Sequence, residues 1–339
     1  MKWYQNNGRE CDIVLNTKVR LARNLRDYPF PSRLDSATKT KINRLIKDVL
    51  ITDETPNLTY TEMNDLSSYE TVSLAEKHLI SVEFASDSSG RALILSEDED
   101  VSIMLSEEDH VRIQVIHPGL SLEEAYKEAS SFDEILEKSF DIAFDEKLGY
   151  LTQCPTDLGT GMRASVMLHL PALSYSGTIS RLATTVAKLG LTLRGTYGEG
   201  SEPIGDIYQL SNQVTLGISD EAALKNLESI TTQIISQERQ ARKSILEDNR
   251  VIDKIYRSYG ILQSAHMLSC NEFTQLISLV RLGASASLLN VPVETLSGLL
   301  IEMQPATINT AEGKALSSTE RDAIRAEKVR NALVRPNEV

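Results

Sequence analysis

The sequence has few cysteines, and none of them is spaced for a metal knuckle. Its 339 residues contain Cys11, Cys154 and Cys270, and no Cys-x-x-Cys pair occurs. Three separated thiols predict neither a disulfide framework nor a structural zinc site. We therefore expect a protein of a reducing compartment that has no metal site of its own.

Long apolar runs, a secretory leader and an excess of positive charge are also missing. No segment approaches the roughly 18 apolar residues of a membrane-spanning helix, and the opening residues do not resemble a signal peptide. The net charge of −13 argues against nucleic-acid binding, which depends on neutralising phosphates. We expect a cytoplasmic protein that binds neither membranes nor nucleic acid, and its acidity favours cationic partners.

Two widespread phosphate-binding signatures are absent as well. The sequence has no Gly-x-x-x-x-Gly-Lys-[Ser/Thr] loop, no His-Arg-Asp and no Asp-Phe-Gly. These absences exclude a P-loop and a protein-kinase fold. A nucleotide would therefore have to be bound by other means.

The stretch from Gln153 to Pro171 carries the first positive signal. It begins with Cys154 before a proline and passes through a loop with Gly159 and Gly161, and it ends in alternating apolar and polar residues. The alternation predicts a half-buried strand with Arg163 at its mouth. Accessible amides in a glycine loop suit a bound phosphate, but a plain hairpin turn explains the glycines equally well.

Three more arginines lie in or beside glycine- or acid-containing segments at predicted strand ends: Arg20, Arg112 and Arg194. Lys18 is two residues from Arg20, which places both cations on one face of a strand. A single such arginine is usually a solvated surface charge. Four together favour an arginine basket for a triphosphate, because guanidinium groups bind phosphate oxygens bidentately.

The apolar periodicity predicts several further elements. Strands are expected at 91–95, 101–105, 111–115 and 208–216, and helices at 38–50, 74–80, 122–140 and 178–189. A long helix should begin at Ser219 and run to about Tyr256, and the rest of the chain should be helical.

Three motifs resemble the signatures of the phosphagen kinases, the guanidino kinases that include arginine and creatine kinase. They are Glu-Glu-Asp-His-x-Arg at 107–112, Cys-Pro-Thr-Asp-Leu-Gly-Thr-Gly-Met-Arg-Ala-Ser at 154–165, and Arg-Gly-Thr-Tyr-Gly-Glu at 194–199. The resemblance implies an α+β fold. Residues 11–242 would form a catalytic domain with a large antiparallel sheet flanked by helices, and residues 243–339 a smaller all-helical domain.

Within this superfamily the chain resembles the bacterial protein arginine kinases most closely. Phosphagen kinases carry a helical domain ahead of the first arginine-bearing strand, which closes on free amino-acid substrates, and here that strand comes almost at once. The C-terminal region instead matches the Arg-Asp-x-x-Arg-Ala motif, which forms a docking pocket for phosphoarginine in that family, with Arg321, Asp322, Ala323, Ile324, Arg325 and Ala326.

An ordinary amphipathic helix is the alternative for this motif. A capping box of Ser317 and Glu320 predicts a real helix over 317–333. Arg321 and Arg325 are four residues apart on one face, a like-charge pair that costs a few tenths of a kcal/mol unless an anion lies between them.

The resemblance also implies the chemistry and the site. The γ-phosphoryl group of ATP, bound with Mg²⁺, would pass to the guanidinium of arginine side chains in proteins. Glu108 and Glu199 would jointly orient that group and take its proton, and Cys154 matches the family's reactive cysteine. The implied nucleotide-binding residues are Asn16, Thr17, Lys18, Val19, Arg20, His78, Arg112, Arg163, Ala164, Ser165, Val166, Met167, Arg194, Gly195, Thr196, Tyr197, Gly198 and Glu199.

Three of these residues keep a second interpretation. His78 also fits a satisfied, partly buried histidine, and Cys154 a small buried hydrophobe. Lys18 stands where the family's first strand, usually Ser-x-Arg-x-Arg, has its first arginine. Lysine binds phosphate as a point charge without the guanidinium fork, so Lys18 puts nucleotide affinity or rate in question.

The expected partners also come from the resemblance. They are protein substrates bearing arginine, a zinc-binding activator protein, and the Clp chaperone-protease, for which phosphoarginine marks proteins for degradation under stress. The chain would form a homodimer. Two other functions stay open: a guanidino kinase for free arginine, and a non-catalytic adaptor that reads phosphoarginine through Arg321 and Arg325.

Overall fold

An eight-stranded antiparallel sheet forms the centre of the computed structural model, which describes residues 1–52, 55, 57–195 and 203–333. The strand order is β2-β3-β4-β5-β1-β8-β10-β9, and β6 pairs with β7 in a separate small hairpin. The strands are β1 (Val14–Arg23), β2 (Leu58–Glu62), β3 (Ala92–Ser96), β4 (Val101–Leu105), β5 (Val111–Pro118), β6 (Phe144–Asp145), β7 (Gly149–Tyr150), β8 (Met162–His169), β9 (Leu191–Gly195) and β10 (Ile207–Asn212).

Twelve helices accompany the sheet in the part of the chain that the structure describes. They are α1 (Ser36–Leu50), α2 (Ser68–Glu76), α3 (Val82–Ala85), α4 (Leu122–Ser139), α5 (Pro171–Tyr175), α6 (Ile179–Ala187), α7 (Asp220–Ile245), α8 (Asn249–Ser264), α9 (Cys270–Ser285), α10 (Val293–Glu302), α11 (Pro305–Ala311) and α12 (Ser318–Leu333). Among these described helices, none is long and apolar enough to cross a bilayer.

The two faces of the sheet have different partners. One face is apolar, with residues such as Val19, Val115 and Val166 fully buried. Helices α4 and α7 cover this core face, and α4 has the strongly amphipathic pattern expected from the sequence. The predicted α+β fold is confirmed.

The C-terminal helices α8, α9, α10 and α12 build a second apolar cluster that includes residues of the sheet. Met167 of β8 and Ile207 of β10 belong to this cluster. His169 is also fully buried, and its Nε2 lies 2.9 Å from Oγ of Ser278 in α9. The expected half-buried strand is therefore wrong for β8: both of its faces are covered, because the C-terminal helices pack on the second one.

The predicted ends of one helix and one strand are wrong, and the structure shows why. The long helix ends at Ile245, because the Asp248 side chain accepts a hydrogen bond from the Arg250 amide and starts α8. Strand β10 ends at Asn212, whose side chain bonds β8 instead of continuing the ladder.

The helix expected at 74–80 lies earlier in the chain. It begins after Ser67, which forms a capping box with Glu70, and it ends at Glu76. The boundary near residue 242 falls inside α7, and the division into residues 11–242 and 243–339 stays a prediction.

Candidate active site

Strand register gathers the predicted arginines on one face of the sheet. Arg20 of β1 pairs directly with Arg163 of β8 and, on its other side, with Gln114 of β5. Directly paired residues point to the same face, as do residues two apart. By the same rule the register assigns one face, called the polar face below, to Asn16, Lys18, Arg20, Arg112, Gln114, Arg163, Ser165, Met167, Gln209 and Arg194.

The sequence suggested that all four arginines lie at strand ends, and the structure shows that this is not so for every one. Arg20 lies inside β1, whereas Arg112 and Arg163 are the second residues of their strands and Arg194 is the next-to-last residue of β9. A position inside a strand fixes the direction of each side chain more firmly than a loop would. The cluster is therefore a property of the sheet and not of its loops.

Arg112 is the most heavily paired of these cations. It forms an ion pair with Glu107, and its Nη2 lies 2.8 Å from Oε2 of Glu108. Asp109 and Asp157 lie within 3.8 Å of the same guanidinium. Burial lowers the pKa of Arg112, but the carboxylates, Glu107 foremost, raise it above its ordinary value. Arg112 is a fixed cation held by the acidic turn between β4 and β5.

Asp157 is the second acidic partner of the cluster, and it is not among the site residues predicted from the sequence. Its Oδ1 lies 2.7 Å from Nη2 of Arg163. Burial raises the pKa of Asp157, but Arg163 and then Arg20 and Arg112 lower it further, so that the net shift is downward. The residue stands in the glycine-bearing motif, and an aspartate six positions before an arginine was the available signal.

The glycines of this loop serve its packing. Gly159 has φ 106 and a Cβ there would clash with the Thr215 carbonyl, while a Cβ on Gly161 would lie 2.8 Å from the Ala22 carbonyl oxygen. The amide of Gly161 donates to the carbonyl oxygen of Asp157. Because the Gly161 amide is already bonded within the loop, the structure supports a turn as the reason for these glycines, and not an amide that is open to a phosphate.

Lys18 and Arg20 differ from the other cations of the polar face. Within the described residues neither makes a hydrogen bond or an ion pair. Desolvation and then Arg20 lower the pKa of Lys18 to about 8. Desolvation and then Arg112 lower the pKa of Arg20 to about 10. Two partnerless cations beside further cations form a site prepared for an anion.

His78 lies beside this pair. It follows α2 in a left-handed conformation with φ 62, and Nε2 of Gln114 donates to the carbonyl oxygens of His78 and Leu79. Burial and then Lys18 lower the pKa of His78 to about 3, so the imidazole is neutral. A neutral ring at the edge of a cation cluster suits contact with an uncharged part of a ligand.

Several predicted nucleotide-binding side chains point away from this site. Thr17, Val19, Ala164 and Val166 alternate with the residues of the polar face and are at most 1% exposed in the core. Only alternate residues of a strand share a face, so a contact of these four residues with a nucleotide would have to come from their backbone, and their place in the nucleotide site stays a prediction. Asn16, Ser165 and Met167 lie on the polar face as expected.

Asp109 joins the acidic turn between β4 and β5 to the loop that contains Cys154. This carboxylate is fully buried and accepts hydrogen bonds from Nδ2 of Asn24 and the amide of Gln153. Glu108, next to it, keeps 48% of its side chain exposed. Cys154 follows Gln153, and its Sγ lies 3.0 Å from Oγ1 of Thr156. Asp109 thus ties the turn that carries Glu108 to the residue that precedes Cys154.

Glu199, the remaining predicted catalytic residue, lies outside the described residues. Thr196, Tyr197, Gly198 and Glu199 belong to residues 196–202, which the structure does not describe. Arg194 and Gly195 are the last residues of β9, and Nε of Arg194 donates to Oγ1 of Thr192 at 3.1 Å.

The residues of the site fit a Mg²⁺ ion that arrives with a nucleotide. Among the described residues, no group of three His, Cys, Asp or Glu side chains is placed to hold a metal. The carboxylates nearest the cations, Glu107 and Asp157, are paired with arginines. Mg²⁺ commonly keeps several waters and binds through substrate phosphates, which needs no protein cage.

The predicted docking motif lies on α12, far along the chain from the polar face. The capping box of Ser317 and Glu320 is present. Arg321 is half-buried and donates to the carbonyl oxygen of Leu316. Arg325 is 1% exposed. It donates to the carbonyl oxygens of Met303 at 2.8 Å and Leu268 at 2.7 Å, and to Oδ1 of Asp322 at 2.7 Å. The fold uses Arg325 as a buried clamp, and a docking role for the motif stays a prediction.

Comparison with known proteins defines the class. A family model described as the ATP:guanido phosphotransferase C-terminal catalytic domain matches residues 41–241, and one described as the protein-arginine kinase McsB C-terminal domain matches residues 248–338. The first match covers more than half of the chain. The chain therefore contains the catalytic domain of an ATP:guanido phosphotransferase.

Relatives narrow the class to a family. A protein-arginine kinase of Halothermothrix orenii is 45% identical over 98% of this chain and 96% of its own length. The protein-arginine kinase of Brevibacillus brevis is 45% identical over 98% of this chain and 94% of its own length. The chain belongs to the protein-arginine kinase family, and the resemblance seen in the motifs is confirmed.

Solved structures share the fold of the catalytic region. The duplicated taurocyamine kinase of Schistosoma mansoni with bound transition-state-analogue components superimposes with a TM-score of 0.59 and 27% identity, over 67% of this chain and 33% of that one. Lombricine kinase superimposes with a TM-score of 0.58 and 23% identity, over 69% of this chain and 68% of that one, which shows the fold alone.

Lys18 gives the site a testable pH dependence. Its charged form attracts phosphate, so the affinity for Mg-ADP should fall as pH rises through the folded pKa of about 8. We expect binding about tenfold weaker at about pH 9 than at about pH 7, measured by calorimetry. Lys18→Arg should remove this loss because the guanidinium stays charged, whereas the exposed Lys127→Arg should keep it. A flat wild-type profile would contradict this assignment.

The buried clamp predicts unequal stability losses on α12. Arg325→Ala leaves the carbonyl groups of Leu268 and Met303 without their donor, and should lower the free energy of unfolding by about 2–4 kcal/mol. Arg321→Ala should cost about 1 kcal/mol or less, since that side chain is half-buried with one bond to a backbone carbonyl. Urea denaturation of both variants measures the difference, and equal losses would rule out the clamp.

Proposed function

We propose that this chain transfers the γ-phosphoryl group of ATP to arginine side chains of proteins. The observation that carries the proposal is the pair Lys18 and Arg20, which have no partner within the described residues and stand beside Arg112 and Arg163 on the polar face. A site that concentrates cations in this way binds a polyanion. Family membership supports ATP as that polyanion and a guanidino group as the acceptor.

The arginine guanidinium that accepts the phosphoryl group is difficult to deprotonate. A guanidinium has a pKa above 12, and removing its proton at neutral pH before the reaction would cost about 8 kcal/mol. A carboxylate that aligns the group and accepts its proton during transfer lowers this cost. In the proposed step a P–N bond forms, the bond from the γ-phosphorus to the ADP oxygen breaks, and one guanidinium proton passes to a carboxylate.

Glu108 is suited to this role by its surroundings. It is half-exposed at the rim, its neighbour Asp109 is fixed in the core, and Arg112 holds one of its oxygens. This arrangement leaves Glu108 reachable by a substrate side chain while restricting its motion. Glu199 is the second proposed carboxylate on the strength of the motif, and its place lies outside the described residues.

The cations would stabilise the charge on the transferring group. Lys18, Arg20 and Arg163 converge on the centre of the polar face, and Arg163 can exchange Asp157 for a phosphate oxygen. One arginine at a transferring phosphoryl group contributes about 10³–10⁵ in rate in related reactions. Mg²⁺ bound by the phosphates would supply further charge neutralisation when present.

Cys154 would contact the acceptor. It follows Gln153, whose amide donates to Asp109, the neighbour of Glu108 in the chain. Its sulfur would pack against the substrate guanidinium.

The wider role rests on family resemblance. We propose that the phosphoarginine mark directs proteins to a Clp-type chaperone-protease during stress, that a zinc-binding protein activates the enzyme, and that the chain acts as a cytoplasmic homodimer. The motif from Arg321 to Ala326 would dock phosphoarginine. Arg321, half-buried near the start of α12, is the residue of the motif closest to this role.

One experiment separates the three functions. The protein is incubated with Mg-ATP and either free arginine or a basic protein, and acid-labile phosphate on arginine is measured by mass spectrometry. Label on the protein supports the proposal. Label on free arginine alone would replace it with a free guanidino kinase, and no label on either acceptor would favour the adaptor.

Glu108→Gln tests the proposed base. The amide keeps the size and the contact with Arg112 but cannot take a proton, so the rate of protein labelling should fall about 10²–10⁴-fold. Glu146→Gln, on an exposed glutamate remote from the site, should leave the rate unchanged. Full activity of Glu108→Gln would show that the base lies elsewhere.

A further inference from the structure

The turn between β4 and β5 presents one carboxylate to solvent and buries its other residues. It comprises residues 106–110, and the amide of Ser106 donates to the carbonyl oxygen of His110 at 2.9 Å. Glu108 keeps 48% of its side chain exposed, whereas the other four residues of the turn are at most 5% exposed. Each of those four bonds a residue outside the turn. The direction of Glu108 therefore depends on how its neighbours are held.

Ser106, the first residue of this turn, has an unfavourable backbone conformation. Its φ is 61, in the left-handed region, and the residue is fully buried. Residues with a Cβ seldom adopt this conformation, and it persists where the surrounding structure imposes it. Glycine would adopt it without strain. A serine at this position is therefore explained by the bond that its side chain makes.

The side chain of Ser106 joins the turn to α1. Its Oγ donates to Oδ1 of Asn43 at 2.7 Å, and Nδ2 of Asn43 donates to the carbonyl oxygen of Gly90 at 2.9 Å. Asn43 is 1% exposed, so these bonds lie in low-dielectric surroundings, in which a hydrogen bond is stronger than in water. Helix α1 packs against α4, which covers the core face of the sheet. The bond therefore anchors the start of the turn to the core side of the sheet.

The end of the turn is held by the residues that follow β1. Oδ1 of Asn24 accepts a hydrogen bond from the amide of His110 at 2.9 Å, and the amide of Leu25 donates to Nδ1 of His110 at 3.2 Å. Glu108 thus lies between two fixed ends. Ser106 is the anchor at the start, so its loss would free the backbone two residues before Glu108.

We propose that Ser106 is a positioning residue, whose bond to Asn43 holds the turn so that Glu108 has the orientation that proton acceptance requires. The inference rests on the proposed function, which makes Glu108 a carboxylate that takes the guanidinium proton. Proton transfer needs heavy atoms within about 3 Å of each other, and a misplacement of about 1 Å can cost about 100-fold in rate. Among the described residues Ser106 bonds Asn43 and His110 and none of the cations of the polar face, so its loss should act on the rate and not on nucleotide affinity.

Ser106→Gly separates positioning from stability. Glycine relieves the left-handed backbone and removes the anchor at the same time, so the two effects on stability oppose each other, and the thermal midpoint should stay within about 3 °C of that of the wild type. The kcat for phosphorylation of protein arginine should fall about tenfold, while KM for ATP should change by less than about twofold. Initial rates at varied ATP and a circular dichroism melt measure these values.

Ser287→Gly is the matched control. Ser287 is a second serine in the left-handed conformation, with φ 59, at an exposed position that follows α9. The substitution relieves the same backbone strain outside the turn that carries Glu108. It should raise the thermal midpoint slightly and leave kcat and KM as in the wild type.

Asn43→Ala tests the other partner of the bond. It removes the acceptor of the Ser106 hydroxyl and should lower kcat by about the same factor as Ser106→Gly. Because the two side chains act through one bond, the double variant should be no slower than the slower single variant, whereas independent effects would multiply to about 100-fold. If Asn43→Ala does not fold, the comparison of Ser106→Gly with Ser287→Gly decides alone.

Three results would overturn the positioning role of Ser106. They are an unchanged kcat for the folded Ser106→Gly variant, an equal loss of kcat in Ser287→Gly, and losses that multiply in the double variant. In each case labelling of protein arginine by the wild type leaves the proposed function standing and refutes the positioning role alone. Absence of labelling by the wild type would refute the proposed function and, with it, the role of Glu108 on which the inference rests.

Discussion

Repulsion among cations on the polar face is the constraint that organises this molecule. Because β1 lies between β5 and β8, the register puts Arg20 directly opposite Arg163 and two residues from Lys18. Glu107 and Asp157 form ion pairs with Arg112 and Arg163. The same two carboxylates raise the pKa of Arg20, but among the described residues neither Lys18 nor Arg20 has an ion pair or a hydrogen bond. Such a cluster costs stability in the empty protein and gains its counter-charge when a polyanion binds.

The surrounding structure keeps this cluster in place. Helices α4 and α7 bury the opposite face, so the strands cannot shift by one residue without exposing the core. Asp109 ties the acidic turn to the cysteine loop, and Gln114 holds the backbone of His78 above the sheet. The C-terminal helices close the end of the sheet at Met167, which turns an open edge into a lined cavity.

The cationic residues of the site could be predicted from the sequence, because the alternation of residues in a strand and the spacing of a motif are local properties. Arg20, Arg112, Arg163 and Arg194 could be placed in one site, and strands were predicted for the first three, whereas Arg194 was expected in a loop and lies in β9. The sequence could not show that Thr17 and Val166 face the core, because a motif match does not distinguish the two faces of a strand. The burial of Arg325 and the cavity beside α9 depend on packing between distant segments, which no local pattern reports.

The most direct test of this account is the stability of Arg20→Met, which keeps the apolar stem and removes the charge. If Arg20 serves only as a phosphate ligand, the nucleotide-free Arg20→Met variant should have a free energy of unfolding equal to or higher than that of the wild type. Mg-ADP, which should raise the thermal midpoint of the wild type, should no longer raise that of the variant. A loss of several kcal/mol in the empty variant, or an undiminished response to Mg-ADP, would contradict the account.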